Sequence, residues 1–273
     1  MRVSWRLQRL SAALSSFLLL TACAGAVSAN QPAFAVPAAS ASAADSAAAV
    51  NQRRADAHLQ LALAYYQQSQ WQVALDEATL ALRIGPEQGD ALSMRGLILM
   101  ASGRPALAGA DFLQALRIAP EQPDYLNNYA WYLCQTGHAQ ASLDWFERAA
   151  AQADYRSPEK ALNNAGACSR TAGDAAAAKR YFQRALALRP DNARGNVALA
   201  ELYFNDGDYP HARLHAERAV AGTKPGADAL WIAIKVARKS DQAGAEKQLL
   251  AQLRHLYPDS AEYAAYQRGV FDE

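Results

Sequence analysis

Proline closes a recurring apolar run at near-constant intervals, and that period restricts the chain more than any single residue does. "ALRIGP" ends at Pro86 and "ALRIAP" at Pro120, 34 residues later; "ALALRP" ends at Pro190, a further 70 on, and Pro225 and Pro258 follow at 35 and 33. With units counted from Ala55, Gly89, Pro123, Glu159 and Ala193, the eighth place is always small: Ala62, Gly96, Ala130, Gly166, Ala200. The twentieth is small too (Ala74, Ala108, Ser142, Ala178, Ala212), and the twenty-fourth is Phe112, Phe146 or Phe182 in the middle units. Glycine falls between the two halves at Gly103, Gly137, Gly173 and Gly207. Large apolar residues occupy places 4, 7 and 11 in most units, as with Leu61 and Tyr65 or Leu199 and Tyr203. Small residues at fixed places imply two helices approaching closely, and glycine between them implies a tight reversal.

This pattern is the tetratricopeptide signature, two antiparallel helices A and B per unit, so the expected fold is an all-α superhelix of about six helix-turn-helix units with a C-terminal capping helix. The expected units are 55–88, 89–122, 123–158, 159–192, 193–226 and a degenerate 227–258, with a cap over 259–273 that starts at Asp259 or Ser260. Such a stack presents a groove along its A helices, mainly at places 2, 5, 9 and 12. Those places hold Leu59, Leu63, Tyr66, Leu97 and Met100 in the first two units, which suits an amphipathic helix inserting apolar anchors. Units three and four offer Asn127, Trp131, Lys160, Asn163 and Arg170 instead. The competing reading makes some of the apolar residues core, or packs them beneath the N-terminal segment.

Ahead of the repeats, residues 1–22 read as a targeting signal: Arg2, Arg6 and Arg9 precede an apolar stretch too short to span a bilayer. "LTAC" ending at Cys23 has the form of a lipobox, in which Cys23 is acylated and becomes the new N-terminus; the alternative is ordinary cleavage after "AVSA" at Ala29. Ala24 is not the aspartate that signals inner-membrane retention, which favours the outer membrane. Residues 23–50, rich in Ala and Ser with two prolines, are expected to be a flexible tether reaching roughly 30 Å. The whole chain carries 27 Lys+Arg against 26 Asp+Glu. With no basic block or interleaved aromatics, nucleic acid is not an expected partner.

Nothing in the pattern points to catalysis. His211 and His215 lie four apart on a helix, a spacing that suits zinc, yet no further ligand cluster accompanies them, and exposed helix-B histidines are the expectation. There is no phosphate loop and no nucleophile elbow, and Asp111 and Glu201 read as surface charges. No enzyme activity, cofactor, metal or small-molecule substrate is expected.

The units "LNNYAWYLCQTGHAQASLDWFERA" and "ALNNAGACSRTAGDAAAAKRYFQRAL" and the ending "LLAQLRHLYPDSAEYAAYQRG" resemble the type IV pilus biogenesis and stability lipoproteins, the PilF/PilW family, over nearly all of residues 51–270. The resemblance implies a pilotin, an outer-membrane lipoprotein facing the periplasm. It would bind the pilus secretin through its groove and promote the secretin's localisation or multimerisation, with Cys23 as anchor. A scaffold lipoprotein for another envelope assembly (β-barrel insertion, peptidoglycan enzymes or polysaccharide export) is the alternative.

Cys134 and Cys168 remain. They sit at place 12 of unit three and place 10 of unit four, on neighbouring parallel A helices. Two residues turn a helix by about 200°. The offset therefore lets the thiols face each other where identical places would point the same way, and in an oxidising compartment it predicts a disulfide. Two small buried residues filling helix contacts are the alternative.

Overall fold

The computed structural model describes residues 39–85 and 87–271. Among them are thirteen helices and no strand: α1 Ala39–Gln67, α2 Trp71–Ile84, α3 Gly89–Ala101, α4 Pro105–Ile118, α5 Pro123–Gln135, α6 Ala139–Ala150, α7 Pro158–Thr171, α8 Ala175–Leu188, α9 Ala193–Asn205, α10 Tyr209–Ala219, α11 Ala227–Lys239, α12 Ala243–Leu256 and α13 Ala261–Arg268. Asp45–Glu273 forms one compact unit. Residues 1–38, with the signal segment and Cys23, lie outside the described residues.

Each helix starts and stops for a local reason. Proline occupies the first turn of α4, α5, α7 and α10, where its missing N–H costs nothing. The side chains of Asp174, Asn192 and Ser260 accept hydrogen bonds from the backbone N–H groups of Ala177, Gly195 and Tyr263, capping α8, α9 and α13. The A-to-B reversal needs one left-handed residue. Glycine supplies it at Gly103, Gly137, Gly173 and Gly207, while Ser69 (φ 57°) and Asp241 (φ 54°) do so in the first and last pairs.

The core is the interior of this stack. Gly96 lies against Phe112 and Gly166 against Phe182, with both rings buried. A Cβ on Gly96 would stand 2.7 Å from the Phe112 ring, so the small eighth place exists to admit the large twenty-fourth. Between α6 and α7 the longer connection of the 36-residue unit places Tyr155 in the core. Arg95 clamps the buried Asp111 with two hydrogen bonds of 2.7 Å, so Asp111 is not the surface charge expected. It faces its own unit's A helix, where a carboxylate is held only if paired.

Leu61 is exposed, and among the described residues no earlier pair covers it. Two other expectations change. Residues 39–50, expected as part of a flexible tether, are helical. Alanine is the strongest helix former, and a run of it prolongs an existing helix at little nucleation cost. His215 is buried, with Nδ1 3.0 Å from Asn196 Oδ1 and its ring stacked on Tyr203, while His211 is exposed and bound to Asp208.

Candidate functional site

Successive A helices touch one another, α3 with α5, α5 with α7, α7 with α9 and α9 with α11. They therefore line the tighter side of the stack, and the face they present changes character along it.

At the α1–α3 end the face is apolar. Leu63 is exposed, Leu59 and Tyr66 are half-buried against a cluster holding Ala62, Met94 and Ile98, and Tyr66 meets Trp71 edge-on at 5.3 Å. Leu97 and Met100 pack beside Leu99, Ala108 and Phe112, so they contribute to the core as well as to the face. Trp131 on α5 is likewise half-buried.

From α5 to α9 the face is polar. Asn127 is 1% exposed and Asn163 7%, so neither is the open groove contact that position alone suggests. A carboxamide at place 5 is close enough to the next A helix to be drawn into a bond between units. Asn128 Nδ2 donates to Ser93 Oγ at 3.0 Å, Asn127 Nδ2 donates to Asn128 Oδ1 at 3.1 Å, and Asn164 Nδ2 donates to Asn127 Oδ1 at 3.0 Å. These bonds form a ladder across α3, α5 and α7. Asn163 Oδ1 is buried without a partner. Arg170 is exposed and donates to Glu201 at 2.5 Å, and Lys160 donates to Asp124 at 3.2 Å.

Beyond the ladder, α7, α9 and the start of α11 enclose a cavity of about 230 Å³. Its lining includes Asn163, Asn164, Arg170, Arg194, Glu201 and Asp228. Arg194, Ala198 and Asp228 carried no sequence signal beyond their place in the period, although places 2 and 6 would have found them.

Cys134 and Cys168 are joined by a disulfide, with Cα atoms 5.9 Å apart. Ser142 Oγ lies 3.2 Å from Cys168 Sγ. The bond links α5 to α7 across the junction of units three and four.

Models of the tetratricopeptide repeat match residues 93–157 and 170–235, the central pairs of this stack. The stack is built of tetratricopeptide repeats. It is 26% identical over 212 residues to the type IV pilus assembly protein PilF of Pseudomonas aeruginosa, covering 78% of this chain and 84% of that one. The solved structure of Pseudomonas aeruginosa PilF superposes with a TM-score of 0.67 at 25% identity, covering 80% of this chain and 99% of PilF. That of PilW, described as a widely conserved type IV pilus biogenesis factor, gives 0.68 at 27% identity, covering 78% and 98%. This tetratricopeptide-repeat chain is thus homologous to PilF and PilW along almost their whole solved length. Stacks of this kind are scaffolds for protein–protein contact. Among the described residues no group of His, Cys, Asp and Glu is arranged to hold a metal. No described helix is long and apolar enough to cross a membrane.

Proposed function

We propose that the chain is a type IV pilus biogenesis factor that acts as a pilotin: a lipoprotein anchored at Cys23 to the outer membrane, binding the pilus secretin through its A-helix face. The carrying observation is the homology to PilF across 84% of that protein and 212 residues of this chain, far more than one repeat pair holds. The apolar α1–α3 end supports the same reading, because a half-exposed Leu63, Leu59 and Tyr66 form a strip that a partner helix would cover.

Deleting the gene tests this proposal. Secretin multimers in the outer membrane and surface pili should both fall, and unchanged multimers would exclude the pilotin role. Leu63→Asp is the finer probe, since Leu63 is 39% exposed and a charge there leaves the core intact. A charge at Leu97 would also disturb the Phe112 cluster and confound the result. Anchoring is tested separately. Cys23→Ser should abolish incorporation of labelled palmitate and release the protein from the membrane fraction, and retained label would place the lipid elsewhere.

A further inference from the structure

Each A helix packs against the B helices on both sides of it: α5 against α4 and α6, α9 against α8 and α10, α11 against α10 and α12. The furrow between consecutive B helices is therefore floored by an A helix, and in two cases aromatic rings fill it. Between α4 and α6, Tyr132 lies against Gly109 and Tyr129 meets Trp145 edge-on at 4.9 Å. Between α8 and α10, Tyr203 stacks on His211 and His215 at 5.1 and 5.7 Å, and its hydroxyl accepts from Gln183 at 2.9 Å. These rings stand at places 7, 10 and 11. In unit six the same places hold Ala233, Val236 and Ala237, and a cavity of about 200 Å³ opens between α10 and α12. Ala216 and Val220 on α10 and Leu249 on α12 wall it, so covering it removes apolar surface from water.

A ridge of matching character stands on another B helix, α4. Leu107 is 60% exposed, more than any other large apolar side chain among the described residues, and Leu113 and Ile118 are each 43% exposed. At places 22 and 25, α6 carries Asp144 and Glu147 and α8 carries Arg180 and Gln183, whereas α4 carries Ala110 and Leu113. The exposed side of α4 thus has no acid. Its single charge, Arg117, has no ion-pair partner among the described residues.

We propose that the groove between α10 and α12 receives α4 of a second copy of this chain, so that copies associate head to tail. The lengths agree: α4 has 14 residues, about 21 Å, and the groove walls have 11 and 14. Leu107 and Leu113 fill the space that Ala233 and Ala237 leave. Arg117, one turn beyond Leu113, meets Glu217 on the rim, which is 67% exposed and reaches Arg213 only at 3.6 Å. Ridge and groove are different surfaces of one chain, so the contact is heterologous and each copy offers one of each. It uses B helices for the ridge and the groove walls, and it leaves the A-helix face open.

Sedimentation velocity tests this on the full chain, in density-matched detergent with micelles in large excess over protein. The mass of the sedimenting species is expected to rise with protein concentration. Leu107→Asp should weaken association about tenfold or more, as loss of one buried leucine contact predicts. Ala237→Tyr copies the ring that Tyr203 supplies in unit five, so it should fill the groove from within and weaken association equally while keeping the thermal midpoint. Gln248→Arg, on the exposed wall of the groove, repeats that test without touching the core if the tyrosine lowers the midpoint. The decisive sample is an equimolar mixture of the Leu107→Asp and Ala237→Tyr chains, or of Leu107→Asp and Gln248→Arg. Each chain brings the surface that the other lacks, so heterodimers should form and grow no further, while neither variant associates alone. A wild-type chain that stays monomeric at every concentration, association that survives the ridge and groove substitutions, or a mixture no larger than its separate components would each overturn the proposal.

Discussion

Replacing Cys134 and Cys168 together by alanine removes a cross-link that closes a stretch of chain 34 residues apart in sequence. In the chain-entropy model, opening such a loop returns about 12–13 cal/mol/K to the unfolded chain, or about 3.8 kcal/mol at 25 °C. Little else changes, since alanine is small enough for the buried Cys168 site and Ser142 keeps its own bond to the Ala139 carbonyl. A stack of this length unfolds with an entropy of roughly 0.5 kcal/mol/K, so the thermal midpoint should drop by about 8 °C. The loss should concentrate between units three and four, because each pair of a solenoid is stabilised mainly by its neighbours. Amide exchange in α6 and α7 should therefore accelerate before that in α3 or α9. Circular dichroism during urea unfolding measures the first quantity and exchange mass spectrometry the second. Wild-type protein treated with reductant is the essential control, because it loses the cross-link and keeps both sulfur atoms. If it and the alanine variant both unfold within about 1 kcal/mol of the oxidised protein, the entropic reasoning is wrong, or the unfolded chain is already compact across this stretch.

Three further substitutions probe the rest of the stack. Gly96→Ala gains about 1 kcal/mol in helix propensity, but its Cβ would lie 2.7 Å from a fully buried ring, and overpacking costs about 1–3 kcal/mol. A net loss on urea unfolding is expected, recovered when Phe112→Leu is added; a stabilised single variant would contradict the packing argument. At the Arg95–Asp111 clamp the two truncations should be unequal: Arg95→Ala strands a carboxylate whose side chain is 8% exposed, at about 3–5 kcal/mol, whereas Asp111→Ala leaves a guanidinium that reaches water, at about 1–3 kcal/mol. Burial holds the native pKa of His215 below its ordinary value, helped by Arg218 and His211. The unfolded state therefore binds the proton first. Stability should be full above about pH 6.5 and fall as pH drops toward the depressed native value, and His215→Gln should flatten that slope of thermal midpoint against pH.

The architecture was legible because each recurring residue does one mechanical job. Glycine at the reversal supplies positive φ, and a small eighth place admits a large twenty-fourth, so the period records the helix pairs directly. Where another residue does the same job, the signal fades: Ser69 and Asp241 adopt the left-handed turn without glycine, so the reversals of the first and last pairs carry no glycine mark in the sequence. The Ala39–Val50 segment was misread for a different reason: Ala and Ser show no apolar period, yet an alanine run prolongs an adjoining helix at little cost. Hydrophobicity likewise says what Leu61 prefers, while its exposure depends on whether a neighbouring pair covers it, and among the described residues none does. The candidate site was legible only by position. Period arithmetic puts Asn127 and Asn163 on the A-helix face, but their burial depends on partners contributed by other units.

That dependence explains how one repeat yields a face of changing chemistry. Places 5 and 6 meet across every junction. Between units one and two they are Leu59 and Met94, which share an apolar cluster. Between units two and four they are Ser93, Asn128, Asn127 and Asn164, joined by hydrogen bonds. At the next junction they are Asn163 and Ala198, and the pairing fails. In a solenoid whose stability is a sum over neighbouring contacts, a failed pairing weakens one junction without unravelling the rest. Restoring the pair through Ala198→Asn should strengthen the junction by about 1 kcal/mol, the usual net worth of one buried hydrogen bond. Thermal unfolding of the variant measures that gain, and an unchanged or lowered midpoint would refute the pairing rule.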